Sequence, residues 1–137
     1  MPTDPLLAFA QRYAAAWCSQ DAASVAAFYS ADGSLSVNDS PPAVGRRAIA
    51  EVAQSFMTAF PDMRVVMDKV IEQVDRAEFH WTLTGTNSGP GGTGQRVRIS
   101  GVELWQIGGD GFIASSRGHF DSSEYRRQLG QGLQKPH

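Results

Sequence analysis

The amino-acid sequence predicts an α+β fold in which helices pack on one curved, antiparallel or mixed sheet around an apolar pocket. Two observations predict it. In the first 60 residues apolar side chains recur three or four positions apart, as on one helix face, whereas between residues 64 and 120 they alternate with polar ones. Helices followed by a run of strands are typical of α+β domains. A chain of 137 residues without repeats or a long linker is predicted to form one domain, 1–137.

Three helices and one short strand are predicted in the N-terminal part. The segments with helical spacing of apolar residues are 6–17, 22–29 and 46–60. Asp32 and Gly33 mark a turn before a short strand at 34–37. Asp39 lies in the loop that follows, where two prolines cannot continue a ladder of backbone hydrogen bonds.

Four strands and a closing helix are predicted in the C-terminal part. The β-type segments are 64–73, 77–86, 96–107 and 112–120. The turns and glycine-rich loops between them are 74–76, 88–94 and 108–111. The last helix spans 121–129, and the spacing of Asp121 and Glu124 at its start is that of a capping box.

Composition and charge exclude some classes of binding partner. Hydrophobic residues make up 42% of the chain and charged residues 19%, as in globular domains. The net charge is -2 and no basic run occurs, so neither nucleic acid nor a membrane is predicted as a partner. Cys18 is the one cysteine, which excludes an intramolecular disulfide and a thiolate metal cage. Because no charged and apolar leader opens the chain, a soluble, cytoplasmic protein is expected.

The spacing of the histidines gives no support to a metal site. His80, His119 and His137 are scattered and form neither an HxH nor an HExxH pair. The sequence therefore predicts no metal site.

A glutamate on the inner face of the predicted sheet is the first candidate for a functional residue. Alternation gives two long strands an apolar row each: Ala77, Phe79, Trp81 and Leu83, and Val97, Ile99, Gly101, Trp105 and Ile107. Glu103 lies within the second row. Burying an unpaired carboxylate costs several kcal/mol, so such a group has a raised pKa or a partner. Glu103 is therefore either a functional acid or the partner of an arginine near the sheet edge.

Other ionisable side chains each have two interpretations. On the last strand Arg117, His119 and Asp121 share a face, which is either part of the pocket or a wet surface. Asp121 is alternatively the cap of the last helix. Asp39 is alternatively an Asx-turn residue. Tyr13 lies on the apolar face of the first helix, where most tyrosines belong to the core.

Two segments carry a resemblance to a known family. Residues 79–86 (FHWTLTGT) and 94–103 (GQRVRISGVE) resemble the SnoaL-like polyketide cyclases. This family belongs to the nuclear-transport-factor-2-like (ketosteroid isomerase-like) superfamily, with the steroid delta-isomerases and scytalone dehydratase. Further segments that fit are 21–29, 45–49 and 127–130, so that the resemblance covers about residues 6–130.

The resemblance implies a shape and two kinds of partner. The expected shape is a cone, in which a bent sheet wraps over three N-terminal helices and is open at one end. A small apolar molecule is expected in the pocket. Pairing of two copies through the outer face of the sheet is also expected, which implies a homodimer.

The resemblance also implies site residues. Tyr13 matches the tyrosine of ketosteroid isomerases that donates to the substrate oxyanion, and Glu103 matches the protonated aspartate beside it. The position of the general base falls on Val37, with Asp39 two residues later. The aspartate that many cyclases carry in the last strand is Gly118 here.

The expected function is cofactor-independent proton transfer on a small, flat, mostly apolar carbonyl compound such as a polyketide or steroid. An isomerase, an aldol-type cyclase and a dehydratase all fit this description. Tyr13 and Glu103 would stabilise an enolate, and Asp39, His119 or Asp121 would move the proton. The residues expected to contact substrate are Trp17, Phe56, Phe79, Trp81, Trp105 and Arg117. The alternative is a non-catalytic domain that binds a small molecule or assembles as a homodimer.

Overall fold

The computed structural model describes residues 4–74 and 76–133. Four helices lie in these ranges: α1 (Asp4–Trp17), α2 (Ala22–Ala26), α3 (Arg46–Ala59) and α4 (Ser122–Gln131). The strands are β1 (Tyr29–Val37), β2 (Ala43–Val44), β3 (Arg64–Gln73), β4 (Arg76–Thr86), β5 (Arg96–Ile107) and β6 (Ile113–Phe120). His137 and the centre of the predicted 74–76 turn lie outside the described residues. Within those ranges no helix is both long and apolar enough to cross a bilayer.

The strands form one open, mixed sheet with the order β2-β1-β6-β5-β4-β3. Neighbouring strands are antiparallel except β1 and β6, which run parallel. Helix α3 connects β2 to β3 and packs against β1, while α1 packs against β3. Register shifts interrupt the pairing in β1, β3 and β5, and such irregularities bend the strands that carry them. The predicted α+β fold is confirmed.

The inner face of β4 and β5 carries the buried rows that alternation predicted. Phe79 stacks on Trp105, with ring centroids 5.0 Å apart. Tyr13 of α1 meets these two rings edge-on, at 5.3 and 5.2 Å. Such aromatic pairs contribute about 0.5–1.5 kcal/mol each beyond their buried area. Helix α1 is therefore held firmly on the part of the sheet that carries Glu103.

Strand β1 begins earlier than the sequence predicts, and α2 is correspondingly shorter. Apolar Phe28 and Tyr29 continue the helical spacing of the preceding residues, but Tyr29 is fully buried and pairs with Ile113 of β6. The predicted turn at Gly33 is also wrong, because Gly33 lies inside β1. A Cβ at Gly33 would be 2.9 Å from the carbonyl oxygen of Ile113, so the close approach of the two strands requires glycine.

The start of α4 agrees with the capping pattern. Asp121 is the N-cap residue, and its carboxylate accepts a hydrogen bond from the backbone N–H of Glu124 at 3.1 Å. A cap of this kind stabilises a helix by about 1 kcal/mol. Strands β3 and β5 also have the predicted bounds, whereas the short strand β2 was not predicted.

Candidate functional site

A cavity of about 60 Å³ lies between the inner face of the sheet and the helices. Its lining residues come from three helices and five strands: Trp17, Leu35, Val37, Phe56, Val65, Trp81, Leu83, Ile99, Glu103, Gly118, Phe120 and Tyr125. Nearly all of them are apolar. Glu103 is the one carboxylic acid among them, which makes it the obvious place to look for chemistry.

The backbone of three neighbouring strands brings Glu103 to the cavity. Its cross-strand partners are Phe79 on β4 and Gly118 on β6. A Cβ at Gly118 would lie 3.4 Å from the carbonyl oxygen of Ser36 and 3.7 Å from Cγ of Glu103, which are ordinary contact distances. A side chain would therefore fit at Gly118, and its absence leaves room beside the carboxyl group.

Three side chains hold the carboxyl group of Glu103 through the same oxygen. Oε1 accepts hydrogen bonds from Oγ of Ser116 at 2.7 Å, the hydroxyl of Tyr13 at 2.9 Å and Nε1 of Trp105 at 3.0 Å. The hydroxyl of Tyr13 lies 2.8 Å from that of Tyr29. None of these bonds ends on Oε2, so the arrangement fixes the orientation of the carboxyl group and leaves its second oxygen for a ligand.

Burial and hydrogen bonding act in opposite directions on the acidity of Glu103. Its side chain is 7% exposed. Burial raises the pKa of Glu103 above the ordinary 4.5, while hydrogen bonds from four side chains oppose that rise: Ser116, Trp105, Tyr13 and Tyr29. Burial and then the charge of Glu103 raise the pKa of Tyr13 and Tyr29 well above 10.0. Both phenols therefore stay protonated at neutral pH.

Comparison with known sequences places the chain in a family. The sequence profile of the SnoaL-like polyketide cyclases matches residues 8–129, which include all of the cavity lining. This chain belongs to the SnoaL-like polyketide cyclase family. No curated protein matches the sequence of this SnoaL-like chain.

Solved structures share the fold of this SnoaL-like protein at low sequence identity. A hypothetical protein with a ketosteroid isomerase-like fold from Catenulispora acidiphila, in complex with trimethylamine, is 18% identical with a TM-score of 0.79, over 94% of this chain and 95% of that one. AclR from Streptomyces galilaeus is 23% identical with a TM-score of 0.80, over 98% and 87%. TerC, co-crystallised with polyporic acid, is 17% identical with a TM-score of 0.75, over 92% and 98%. Identities this low show a common fold and leave the chemistry to be argued from the site.

Tyr13 and Glu103 of this SnoaL-like chain come together, as the resemblance implied. The geometry differs from the expectation in one respect. Tyr13 is fully buried and does not line the cavity, and its hydroxyl donates to Glu103. Tyr13 therefore positions the carboxyl group, and the direct donation to a ligand oxygen that was expected of it has no support.

Arg117 and His119 do not reach the cavity. Both are exposed, and neither is among the lining residues. On β6 the buried side is formed by Ser116 and Gly118, so the residues between and after them point away from the helices. The sequence allowed Arg117 and His119 to lie either in the pocket or on a solvent-exposed surface, and they lie on the solvent-exposed surface.

Asp39 and Asp121 also lie outside the cavity. Asp39 is exposed in the turn after β1, where the preceding Asn38 has a φ of 53° and accepts a hydrogen bond from the backbone N–H of Phe120. Asp121 is exposed and uses its carboxylate to cap α4. Within residues 4–74 and 76–133, no three His, Cys, Asp or Glu side chains are close enough together to hold a metal.

The aromatic candidates divide into two layers. Trp17, Phe56 and Trp81 line the cavity. Phe79 and Trp105 lie beneath it, where they stack on one another and where Trp105 donates to Glu103. The second pair therefore supports the carboxyl group and does not form the cavity wall.

Four polar or aromatic residues at the site, apart from its aliphatic lining, were missed from the sequence. Ser116 and Phe120 could have been found, because they alternate with Arg117 and His119 on β6 and so share the face that carries Gly118. Tyr125 and Tyr29 had no such signal. Their positions depend on how α4 and β1 pack against the rest of the chain, and neither packing is visible in a local pattern.

Proposed function

We propose that this SnoaL-like protein catalyses proton transfer on a small, flat, mostly apolar carbonyl compound, with Glu103 as the group that accepts and returns the proton. One observation carries the proposal. A single carboxyl group of the described residues lies at an apolar cavity, and Tyr13, Trp105 and Ser116 all donate to the same one of its two oxygens. Membership of the SnoaL-like family supports a cyclase or isomerase type of role in general terms.

The proposed reaction uses the two carboxyl oxygens differently. Oε1 of Glu103 stays bound to its donors, and Oε2 takes a proton from the carbon next to the ligand's carbonyl group. The electron pair of the broken C–H bond moves into an enolate. Glu103 then returns the same proton to another carbon of the conjugated system, so the product is an isomer of the substrate. The raised pKa of Glu103 makes it a stronger base than an exposed glutamate.

Glu103 takes both roles because no second carboxyl group lines the cavity among residues 4–74 and 76–133. Asp39, His119 and Asp121, the bases that the sequence suggested, are exposed and away from the lining. Val37 and Gly118 do line it, but neither can move a proton. A shuttle that uses one carboxyl group is therefore the mechanism that this set of residues supports.

The size of the cavity limits the compounds to test first. A cavity of about 60 Å³ admits only a small ring, whereas sites for drug-sized ligands have volumes of about 300–1,000 Å³. The half-buried rings of Phe56, Trp81, Phe120 and Tyr125 would have to move for a larger compound. A one-ring enone is therefore the appropriate probe.

The test is the isomerisation of cyclohex-3-enone to the conjugated cyclohex-2-enone, followed by absorbance. We expect the wild-type protein to accelerate it and Glu103→Gln to lose about 100-fold or more of the rate. His119→Gln is the matched control, because it changes an ionisable group outside the cavity and should keep the wild-type rate. A Glu103→Gln protein that is folded and fully active would refute the role of Glu103.

A second candidate function is binding without turnover. It is favoured by Val37 and Gly118, which stand where related enzymes carry carboxylates. In that case a small ketone would raise the melting temperature of the wild-type protein by mass action, and no isomerisation would accompany it.

We also propose that the protein is a homodimer through the outer face of its sheet. Support comes from Val66 and Ile71 on β3, which are apolar and 52% and 38% exposed. Burying such side chains against a second copy would remove apolar surface from water.

A further inference from the structure

A second cleft lies where the β3–β4 and β5–β6 connections approach helix α1. Its volume of about 460 Å³ is within the range of about 300–1,000 Å³ that small-molecule sites occupy. Among the described residues, none lines both this second cleft and the cavity at Glu103. The proposed reaction therefore leaves the larger of the two without a role.

One side of helix α1 forms the first wall of the second cleft. Pro5, Phe9 and Arg12 follow one another at a spacing of four and three residues, which places them on one side of the helix, and Leu6 lies beside them. The ring of Phe9 packs edge-on against Trp105, with centroids 5.7 Å apart. This wall is therefore anchored to the core and carries one positive charge at its end.

The facing wall of the second cleft comes from the two strand connections. The β3–β4 hairpin contributes Glu72, Gln73 and Arg76, of which the last two are cross-strand partners. Ile107 at the end of β5 and Gly111 in the following turn complete it. A Cβ at Gly111 would meet no atom within 4 Å, so this side of the cleft is open to an incoming molecule.

Positive charge exceeds negative charge in the second cleft, although the whole chain has a net charge of -2. The cleft is lined by two guanidinium groups, Arg12 and Arg76, and by one carboxylate, Glu72. Within residues 4–74 and 76–133 neither arginine forms an ion pair. A guanidinium group stays protonated at any ordinary pH, and its planar fork matches the two oxygens of a carboxylate.

We propose that the second cleft is a binding site for a small amphipathic carboxylate, such as an aryl-substituted carboxylic acid. Its apolar part would lie against Leu6, Phe9 and Ile107, and its carboxylate would bind Arg12 and Arg76. A purely apolar molecule would leave both guanidinium groups without a partner. A single negative charge also suits the cleft better than a doubly charged phosphate, because Glu72 repels a second charge.

This site goes beyond the proposed function, because it shares no lining residue with the cavity at Glu103. Trp105 lies between the two sites, since its ring meets Phe9 and its Nε1 donates to Glu103. Binding in the second cleft is therefore expected whether or not Glu103 moves a proton.

The test compares an acid with an alcohol of the same shape. Dissociation constants of 3-phenylpropionate and 3-phenylpropan-1-ol are measured by ligand-observed NMR titration of the whole chain. We expect wild type to bind the acid about fivefold more tightly than the alcohol. Arg12→Gln and Arg76→Gln should each weaken binding of the acid about threefold and leave the alcohol unchanged, a modest effect because both arginines are exposed.

Arg64→Gln is the matched control variant. Arg64 is exposed like the other two arginines, but it begins β3, whereas Gln73 at the other end of that strand lines the second cleft. This variant should bind the acid as tightly as wild type does. An equal loss of affinity in all three variants would mean that the acid responds only to the overall charge of the protein.

A measurement on the unmutated protein locates the bound acid. With 13C-methyl-labelled wild type, the signals of Leu6 and Ile107 in the second cleft should shift on addition of 3-phenylpropionate. The signals of Leu83 and Ile99 report on the cavity at Glu103 and should stay in place. Equal affinity for the acid and the alcohol, no saturable binding of the acid, or shifts confined to Leu83 and Ile99 would overturn the proposal.

One further variant separates this inference from the proposed function. Glu103→Gln should lose isomerisation and bind 3-phenylpropionate as wild type does. If wild type binds the acid in the second cleft but catalyses nothing, the binding site is correct and the catalytic proposal fails. If wild type is active but does not prefer the acid to the alcohol, the reverse holds.

Discussion

At the scale of single residues, the proposed chemistry of the cavity depends on the hydrogen bonds that orient one carboxyl group. Ser116, Tyr13 and Trp105 all donate to Oε1 of Glu103. A glutamine side chain has an oxygen that can accept the same bonds, but it does not titrate. Alanine would instead remove the shared acceptor of three buried donors, at a cost of about 1–3 kcal/mol for each donor that is left without a partner. Glu103→Gln is therefore the variant that isolates the charge from the hydrogen bonds.

The raised pKa of Glu103 predicts a pH dependence of stability. Because the folded protein binds this proton more tightly than the unfolded chain, the stabilisation is complete below the ordinary value of 4.5 and is lost as pH rises through the folded pKa. The free energy of unfolding of wild type minus that of Glu103→Gln should thus fall with rising pH, by up to about 1.4 kcal/mol per unit between the two pKa values. Urea unfolding of both proteins from pH 4 to 8 measures it. A difference that stays flat or rises with pH would contradict the assignment.

At the scale of elements, α4 contributes to the cavity wall and is joined to strand β5 by a hydrogen bond. Tyr125 of this helix contributes to the lining. Asp121 caps its first turn. Gln128, which is 5% exposed, accepts a hydrogen bond from the backbone N–H of Arg98 on β5 at 2.7 Å. The cavity wall therefore depends on local capping as well as on long-range contacts.

Substitutions at Asp121 distinguish a cap from a base. Asparagine caps helices about as well as aspartate, whereas alanine loses the hydrogen bond to the backbone of Glu124. We expect Asp121→Ala to lower the free energy of unfolding by about 1 kcal/mol and Asp121→Asn to leave it nearly unchanged. Both should isomerise cyclohex-3-enone at the wild-type rate under conditions where they are folded. Loss of activity in the asparagine variant at unchanged stability would restore Asp121 as a candidate base.

At the scale of the whole molecule, the sheet has one face turned to the helices and one face left open. Val66 and Ile71 of β3 are apolar side chains on the open face. A second copy of the chain is the partner that we propose for it, since homodimers commonly pair the same surface on both subunits.

The proposed dimer predicts a mass of about twice 14.8 kDa in sedimentation at micromolar concentration. Val66→Lys together with Ile71→Lys should shift the protein toward monomer, because each charge would be buried in the interface. Val74→Lys is the matched control, since Val74 is 92% exposed at the end of the β3–β4 hairpin. A wild-type protein that sediments as a monomer would contradict the proposal.

Much of the fold and part of the candidate site could be predicted from the sequence, because long strands repeat every two residues. That period alone assigned Phe79, Glu103 and Trp105 to the inner face of the sheet. The capping role of Asp121 was likewise available, since a helix start depends on residues only three positions apart. The family resemblance added Tyr13 as a neighbour of Glu103.

Only the tertiary structure decided which groups meet in the cavity. Tyr29 was assigned to a helix because its partner strand lies far away in the sequence. The two faces of β6 could not be told apart locally, which left Arg117 and His119 as candidates. The second cleft is likewise invisible in any local pattern, since its walls come from α1, the β3–β4 hairpin and the β5–β6 connection, which are distant in the sequence. Local periodicity determines which way a side chain points, and long-range packing determines what it meets there.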